Sequence, residues 1–283
     1  MECLFVMDMR TLAPITRDDL ARRCVRMLRR GRGTRPEVRL LEIDGQRVVT
    51  KDYAACVPIF RLVAGRWLAA KESANYRRVA GMPGIAQWIG VIDPYCFAVG
   101  YITGRSCAEM SPGDLNDPGF FRRLHDLVDR LHGAGLVHCD LRYRSNIVVS
   151  PGGEPHLVDL VAAFPRRGCF GTIRRWLFSL FSEADFQAIA KLKAELSPEL
   201  LTEDDLELLS RVRAIERLGR AARAVLCSVF GMLVPRTVKQ RVGGTRRFEQ
   251  YRQRWRLERR EERARCPAGS DGRVASPPPR SSN

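Results

Sequence analysis

The dipeptide Asp44-Gly45 separates two short runs, residues 38–43 and 46–51, both rich in Val, Leu and Ile. Asp-Gly is among the strongest two-residue hairpin signals. Both positions take positive φ to match the twist of the flanking strands, and glycine does so without a Cβ penalty. The pattern therefore predicts an antiparallel hairpin whose second strand ends at Lys51, which places that lysine on a sheet. Residues 61–80 read as a helix with Leu68, Glu72, Tyr76 and Val79 on neighbouring turns, closed by a Gly/Pro break at 81–84. Residues 86–92 and 96–102 read as two further strands. Ahead of the hairpin, Thr16 and Asp19 form a capping-box pattern that opens an Arg-rich amphipathic helix over 17–30, stopped by Gly31, Gly33 and Pro36.

From Asp117 onward the pattern becomes mainly helical. It is interrupted by a strand pair, 147–149 and 156–158, around the turn Pro151-Gly152-Gly153. Helices are expected at 172–181, 183–195, 202–234 and 246–265, and the tail from Pro267 has a disordered composition. The predicted organisation is α+β in two lobes: a helical extension over 1–35, a β-rich lobe over 36–104, a helical lobe over 105–265 and a tail over 266–283.

A chain of 283 residues with 45% hydrophobic content can bury one sizeable core or two small ones. Its 48 Lys and Arg against 32 Asp and Glu give a formal charge of +16, which calls for an anionic partner: nucleotide, nucleic acid, acidic lipid or phosphorylated substrate. The nine cysteines show no CxxC pair, so they read as reduced, small apolar residues of a protein kept in the cytoplasm. The N-terminus lacks the basic start of an export signal. The longest apolar run, 224–234, is well short of the roughly 20 residues that span a bilayer. His125 and His156 offer no metal-ligand pairing, and no zinc is expected.

The chemistry concentrates in LHGAGLVHCDLRYRSNIVVSPGGEPHLVDLVAAF, residues 131–164. His138-Cys139-Asp140-Leu141 resembles the catalytic-loop H-x-D-L element of protein-kinase-like enzymes. Asn146 resembles its following asparagine, and Leu157-Val158-Asp159 the apolar strand leading to the second aspartate. The resemblance implies a two-lobed protein-kinase-like fold that binds ATP and Mg2+. Phosphoryl transfer needs these types because several negative charges must be neutralised while an acceptor hydroxyl is oriented. Asp140 is then the catalytic residue that takes or orients the hydroxyl proton, Asn146 and Asp159 hold magnesium, and His138 braces the loop. Lys51 contacts the nucleotide phosphates, fixed by Glu72 from the following helix, while residues 100–104 form the hinge that meets the adenine edge.

A closer resemblance, through VVTKDY, KESANYRRVAGMPGI, GYITG and LHGAGLVHCDL, is to small bacterial RIO-like serine/threonine kinases and lipopolysaccharide-core sugar kinases; it covers roughly residues 38–164. The segment 191–202 is also similar to the tail of the RIO-like group. The acceptor implied is a protein or, alternatively, a core sugar, which would bring the chain to an anionic inner-membrane surface. Several features depart from the pattern. The Asp140-to-Asn146 interval is six positions instead of five, and Leu160-Val161 replace the usual Phe-Gly. Only Gly31 and Gly33 precede Val38 where a glycine-rich loop belongs. Cys139 replaces the arginine that reads a phosphorylated loop, and no A-P-E segment follows. These losses argue against switching by loop phosphorylation and against an ordinary peptide-docking platform, and keep a nucleotide-binding pseudokinase as a third reading. Lys71 does not share the Glu72 face, and His132 reads as a structural helix residue. The helix 246–265 carries Phe248, Tyr251 and Trp255 among arginines, but Glu258, Glu261 and Glu262 disfavour nucleic acid as its partner.

Overall fold

The computed structural model describes residues 15–167 and 171–209, all within one compact unit, Met1–Met232. The expected helices at 246–265 and beyond 209, the apolar run 224–234 and the tail lie outside the described residues.

The N-terminal half is a five-stranded antiparallel sheet in the order β1-β2-β3-β5-β4. Its strands are β1 (Cys24–Arg29), β2 (Glu37–Ile43), β3 (Gln46–Asp52), β4 (Trp88–Asp93) and β5 (Cys96–Gly100). The Asp44-Gly45 hairpin forms as expected: both residues have positive φ, 50° and 76°, and pairing runs unbroken from Ile43–Gln46 to Glu37–Asp52. The expected helix over 17–30 is a correction. Only α1 (Asp19–Arg22) is helical, and Cys24–Arg29 is an edge strand paired with β2. Val25, Met27 and Leu28 suit either period, and pairing supplies hydrogen bonds that the outer edge of β2 would otherwise lack. The capping contact survives in part, since Thr16 N–H and Oγ1 both donate to Asp19 Oδ2, at 2.8 and 2.7 Å.

The sheet buries both faces. Leu41, Ile43 and Cys96 pack under Leu20 of α1 on one side; Phe97 and Val99 join the main core on the other. Each such fully buried large apolar side chain contributes roughly 1.5–3 kcal/mol. Against the main-core side lies the helical run expected over 61–80. It enters through α2 (Pro58–Phe60) and a π-turn at Arg61–Gly65 and continues as α3 (Arg66–Arg78). Glu72 and Tyr76 are buried on its inner face.

After Gly100 the chain leaves this sheet. Short β6 (Arg105–Ser106) joins β8 (Ile147–Val149) and β9 (Pro155–Leu157) in a second sheet, with β7 (Leu136–Val137) paired to β10 (Phe164–Pro165). Helix α4 (Pro118–Gly133) starts on Asp117, whose Oδ1 accepts the Gly119 N–H at 2.8 Å, and buries Phe120, Leu124, Leu127, Val128 and Leu131 as one stripe. The two helices expected at 172–181 and 183–195 are a single one, α5 (Gly171–Leu196). Ser182 causes no break because its hydroxyl donates back to the Phe178 carbonyl at 2.8 Å. The fold class is thus α+β, an antiparallel sheet followed by a mainly helical half. Among the described residues no helix is long and apolar enough to cross a membrane.

Candidate active site

Lys51 is the penultimate residue of β3, one short of the end the hairpin predicts, since the strand runs on to Asp52. Its Nζ donates to Glu72 Oε1 at 2.5 Å and to Asp159 Oδ1 at 2.8 Å. One ammonium therefore joins the sheet, helix α3 and the strand end after β9. Burial disfavours a charged lysine, but the two carboxylates outweigh it and raise the Lys51 pKa. Asp159 shows the reverse balance. Burial pushes its carboxyl up, Lys51 pulls it down harder, and it ends below the usual carboxylate range. Glu72 is fully buried and also accepts from the Tyr53 hydroxyl, on Oε2, at 3.0 Å.

Asp159 sits in the left-handed region at φ 67°, which aspartate tolerates better than most residues. Its N–H donates to the Tyr76 hydroxyl at 2.9 Å, and the segment beyond it is tied to the same helix. Asn75 Nδ2 donates to the Leu160 carbonyl at 2.9 Å and Lys71 Nζ to the Val161 carbonyl at 2.9 Å. Lys71 thus stays off the Glu72 face, as its helical position requires, and grips the next residues instead.

The segment 138–146, expected to act as a catalytic loop, is built differently. The buried carboxylate of Asp185 on α5 accepts the His138 N–H at 2.8 Å and the Cys139 N–H at 2.9 Å, and pairs with His132 Nε2 at 3.1 Å. Cys139 is held at φ 64°, a conformation that costs a non-glycine residue on the order of 1–2 kcal/mol. His138 is fully buried, with Nε2 3.1 Å from the Val158 carbonyl. Burial lowers its pKa, so the ring is neutral and braces the loop through Nε2–H.

The six-position interval resolves into two successive turns. Tyr143 N–H donates to the Asp140 carbonyl at 3.2 Å and Asn146 N–H to the Tyr143 carbonyl at 2.9 Å. Asn146 Nδ2 then returns to the Asp140 carbonyl at 3.0 Å. The Val158 N–H donates to the Asn146 carbonyl at 3.0 Å, so the asparagine lies beside the residue preceding Asp159. Arg142 Nε lies 3.3 Å from Asp140 Oδ1 at the exposed rim.

The structure therefore brings Lys51, Glu72 and Asp159 into direct contact, and links Asp140 and Asn146 to them through the Asn146–Val158 backbone bond. Asp159 and Asn146 present hard oxygen donors of the kind Mg2+ prefers; the Asn146 amide nitrogen is engaged by the Asp140 carbonyl, while its Oδ1, which accepts from Ser145 Oγ at 3.4 Å, keeps a second lone pair. No group of three His, Cys, Asp or Glu side chains gathers to hold a metal among the described residues. Remaining ligands would come from phosphate oxygens and water.

Three contributors escaped the sequence reading: Asp185, Tyr53 and Tyr76. Asp185 carried a signal, an acid inside the apolar stripe of Phe178, Ala188, Ile189 and Leu192. The tyrosines carried none, since aromatic residues in those places read as core.

The first half is an antiparallel sheet whose Lys51 meets Glu72 of α3, and the second is a mainly helical half with short strands, an α+β arrangement. Among solved structures the chain is similar to the Rio2 kinase of Chaetomium thermophilum in its ADP/Mg2+-phosphoaspartate complex, at 14% identity and TM-score 0.45, covering 60% of this chain and 54% of that one. It is similar also to the Rio2 kinase of the same organism at 15% identity and TM-score 0.46, covering 69% of this chain and 72% of that one. The chain thus spans just over half the length of the first. No protein-family model and no curated protein matches it.

Proposed function

We propose that the chain is an ATP- and Mg2+-dependent phosphotransferase acting on a hydroxyl acceptor. The observation that carries this reading is Lys51 held between Glu72 and Asp159, residues 21 and 108 positions away in sequence. A buried lysine clamped by two carboxylates is costly as mere structure, because the desolvation of such a group is repaid only with excellent geometry. It is apt where a fixed cation must meet phosphate oxygens.

Magnesium and ATP supply charge neutralisation and the transferable γ-phosphoryl group. Within the protein, Lys51 fixes the nucleotide phosphates, and Asp159 with Asn146 holds the metal. Asp140, at the mouth beside Arg142, orients the acceptor hydroxyl. It takes the proton as that oxygen bonds to the γ-phosphorus and the ADP oxygen departs. Glu72, Tyr53 and Tyr76 hold Lys51 and Asp159 in register, and Asp185 holds the loop.

The finer reading is a RIO-like serine/threonine protein kinase, supported by the motifs of residues 38–164. The basic composition supports a lipopolysaccharide-core sugar as the alternative acceptor. Labelled ATP with Mg2+, incubated with protein extract or with core oligosaccharide, separates the two by which product carries label. Wild type labels one of them, and Asp140→Ala loses the transfer by about 10²–10⁴-fold. A protein that binds ATP with Mg2+ yet labels neither is a pseudokinase, and one that binds no nucleotide ends the proposal.

A further inference from the structure

The edge strand β1 contains an irregularity whose consequence reaches the site. Pairing with β2 runs Met27–Arg39 and then Arg29–Val38, so Leu28 is an extra residue on the β1 side. Such a bulge shifts every following side chain to the opposite face of the sheet. Without it Leu28 would oppose Val38, and Arg29 would turn to the other face. With it, Arg29 opposes Val38, and Val38 opposes Lys51. Directly opposed residues of an antiparallel sheet project from the same face, so Arg29, Val38 and Lys51 form one row on the Lys51 side. Two strand spacings of about 4.8 Å separate the arginine backbone from that of the lysine, within the joint reach of two long side chains.

The surroundings hold Arg29 in that place. Its Nε donates to the Pro36 carbonyl at 3.2 Å, and neither terminal nitrogen makes a hydrogen bond or ion pair with another described residue. The hairpin it opens is tied down: Val57 N–H donates to the Gly33 carbonyl at 2.9 Å, and a Cβ on Gly31 would collide with Ala55. Arg29 as a whole is half-buried, between the exposed Leu28 and Arg30.

We propose that Arg29 is a second phosphate-binding residue, presented by the β1 bulge to the polyphosphate of the nucleotide that Lys51 holds. It supplies from a side chain the grip that the sparse glycines of this hairpin supply poorly from the backbone. A guanidinium fork suits the task because it engages two phosphate oxygens at once. The inference rests on the nucleotide-binding reading of the site.

The test is titration calorimetry of ATP, ADP and adenosine with Mg2+, on wild type and on Arg29→Ala, Arg29→Lys and Arg30→Ala. Arg30 is the exposed neighbour and controls for net charge. Expected for Arg29→Ala is a loss of ten-fold or more in ATP affinity with adenosine affinity within two-fold of wild type. Arg29→Lys should retain part of the ATP affinity and Arg30→Ala all of it. ATP affinity unchanged in Arg29→Ala, or lowered equally for ATP and adenosine, overturns the assignment while leaving the kinase reading intact. Wild type that binds none of the three overturns both.

Discussion

The two halves of the site are held by opposite means. On the sheet side, Lys51, Glu72 and Asp159 are joined by charge, through one ammonium shared by two carboxylates. On the loop side, residues 138–146 are held chiefly by backbone hydrogen bonds, two of them to the single carboxylate of Asp185, and by a strained φ at Cys139. The contrast has a physical sense. Under the proposed function, the first half would present fixed charges to phosphates and metal, and the second would place the group that meets the acceptor hydroxyl by a rigid backbone.

Removing a charge from the first half should have the largest effect. Glu72→Ala leaves Lys51 buried with only Asp159, and should cost about 3 kcal/mol in denaturant unfolding. A cost below about 1 kcal/mol would show that the pair contributes little. For the second half, Asp185→Ala strands the buried N–H groups of His138 and Cys139, with a loss of about 2–3 kcal/mol and of phosphotransfer. Retained activity would break the distinction drawn between the halves.

The pH dependence sharpens the contrast. His138 has a folded pKa below its ordinary value of about 6.5, so the unfolded chain binds the proton more readily. Its contribution to stability is complete above pH 6.5 and is lost as pH falls through the lower folded value. Asp159, also depressed, loses its contribution only in the more acidic range below the usual carboxylate pKa. Unfolding followed from pH 8 to pH 3 should therefore show the loop half weakening first, and His138→Gln should remove the earlier decline.

Two smaller effects complete the series. Tyr53→Phe deletes one hydrogen bond to Glu72 and should cost about 1 kcal/mol by thermal or denaturant unfolding. Cys139→Gly relieves the left-handed strain and should leave stability equal or raise it by up to about 1 kcal/mol, less the glycine entropy. A clear loss would mean that the cysteine side chain, and not its backbone conformation, matters to the loop.

Much of this was legible beforehand because it is local. The Asp44-Gly45 hairpin, the helix bearing Glu72 and the ordered Asp140, Asn146 and Asp159 are all patterns of residue type at short spacing. The failures were also instructive. Residues 24–29 have a composition that satisfies two periods, and no local rule says that an unpaired edge of β2 will claim them. The expected boundary between 172–181 and 183–195 fell on Ser182, where the helix runs through and the hydroxyl donates to the i−4 carbonyl of Phe178.

By itself the sequence determined the candidate groups Lys51, Glu72, Asp140, Asn146 and Asp159 and the order in which the chain delivers them, since those are matters of type and spacing. Only the tertiary structure decided that Lys51 meets Asp159 across 108 positions, that one carboxylate on α5 anchors the loop, and that a bulge puts Arg29 in the same row as Lys51. These depend on non-local pairing, where a single-residue shift in register reverses every side chain that follows.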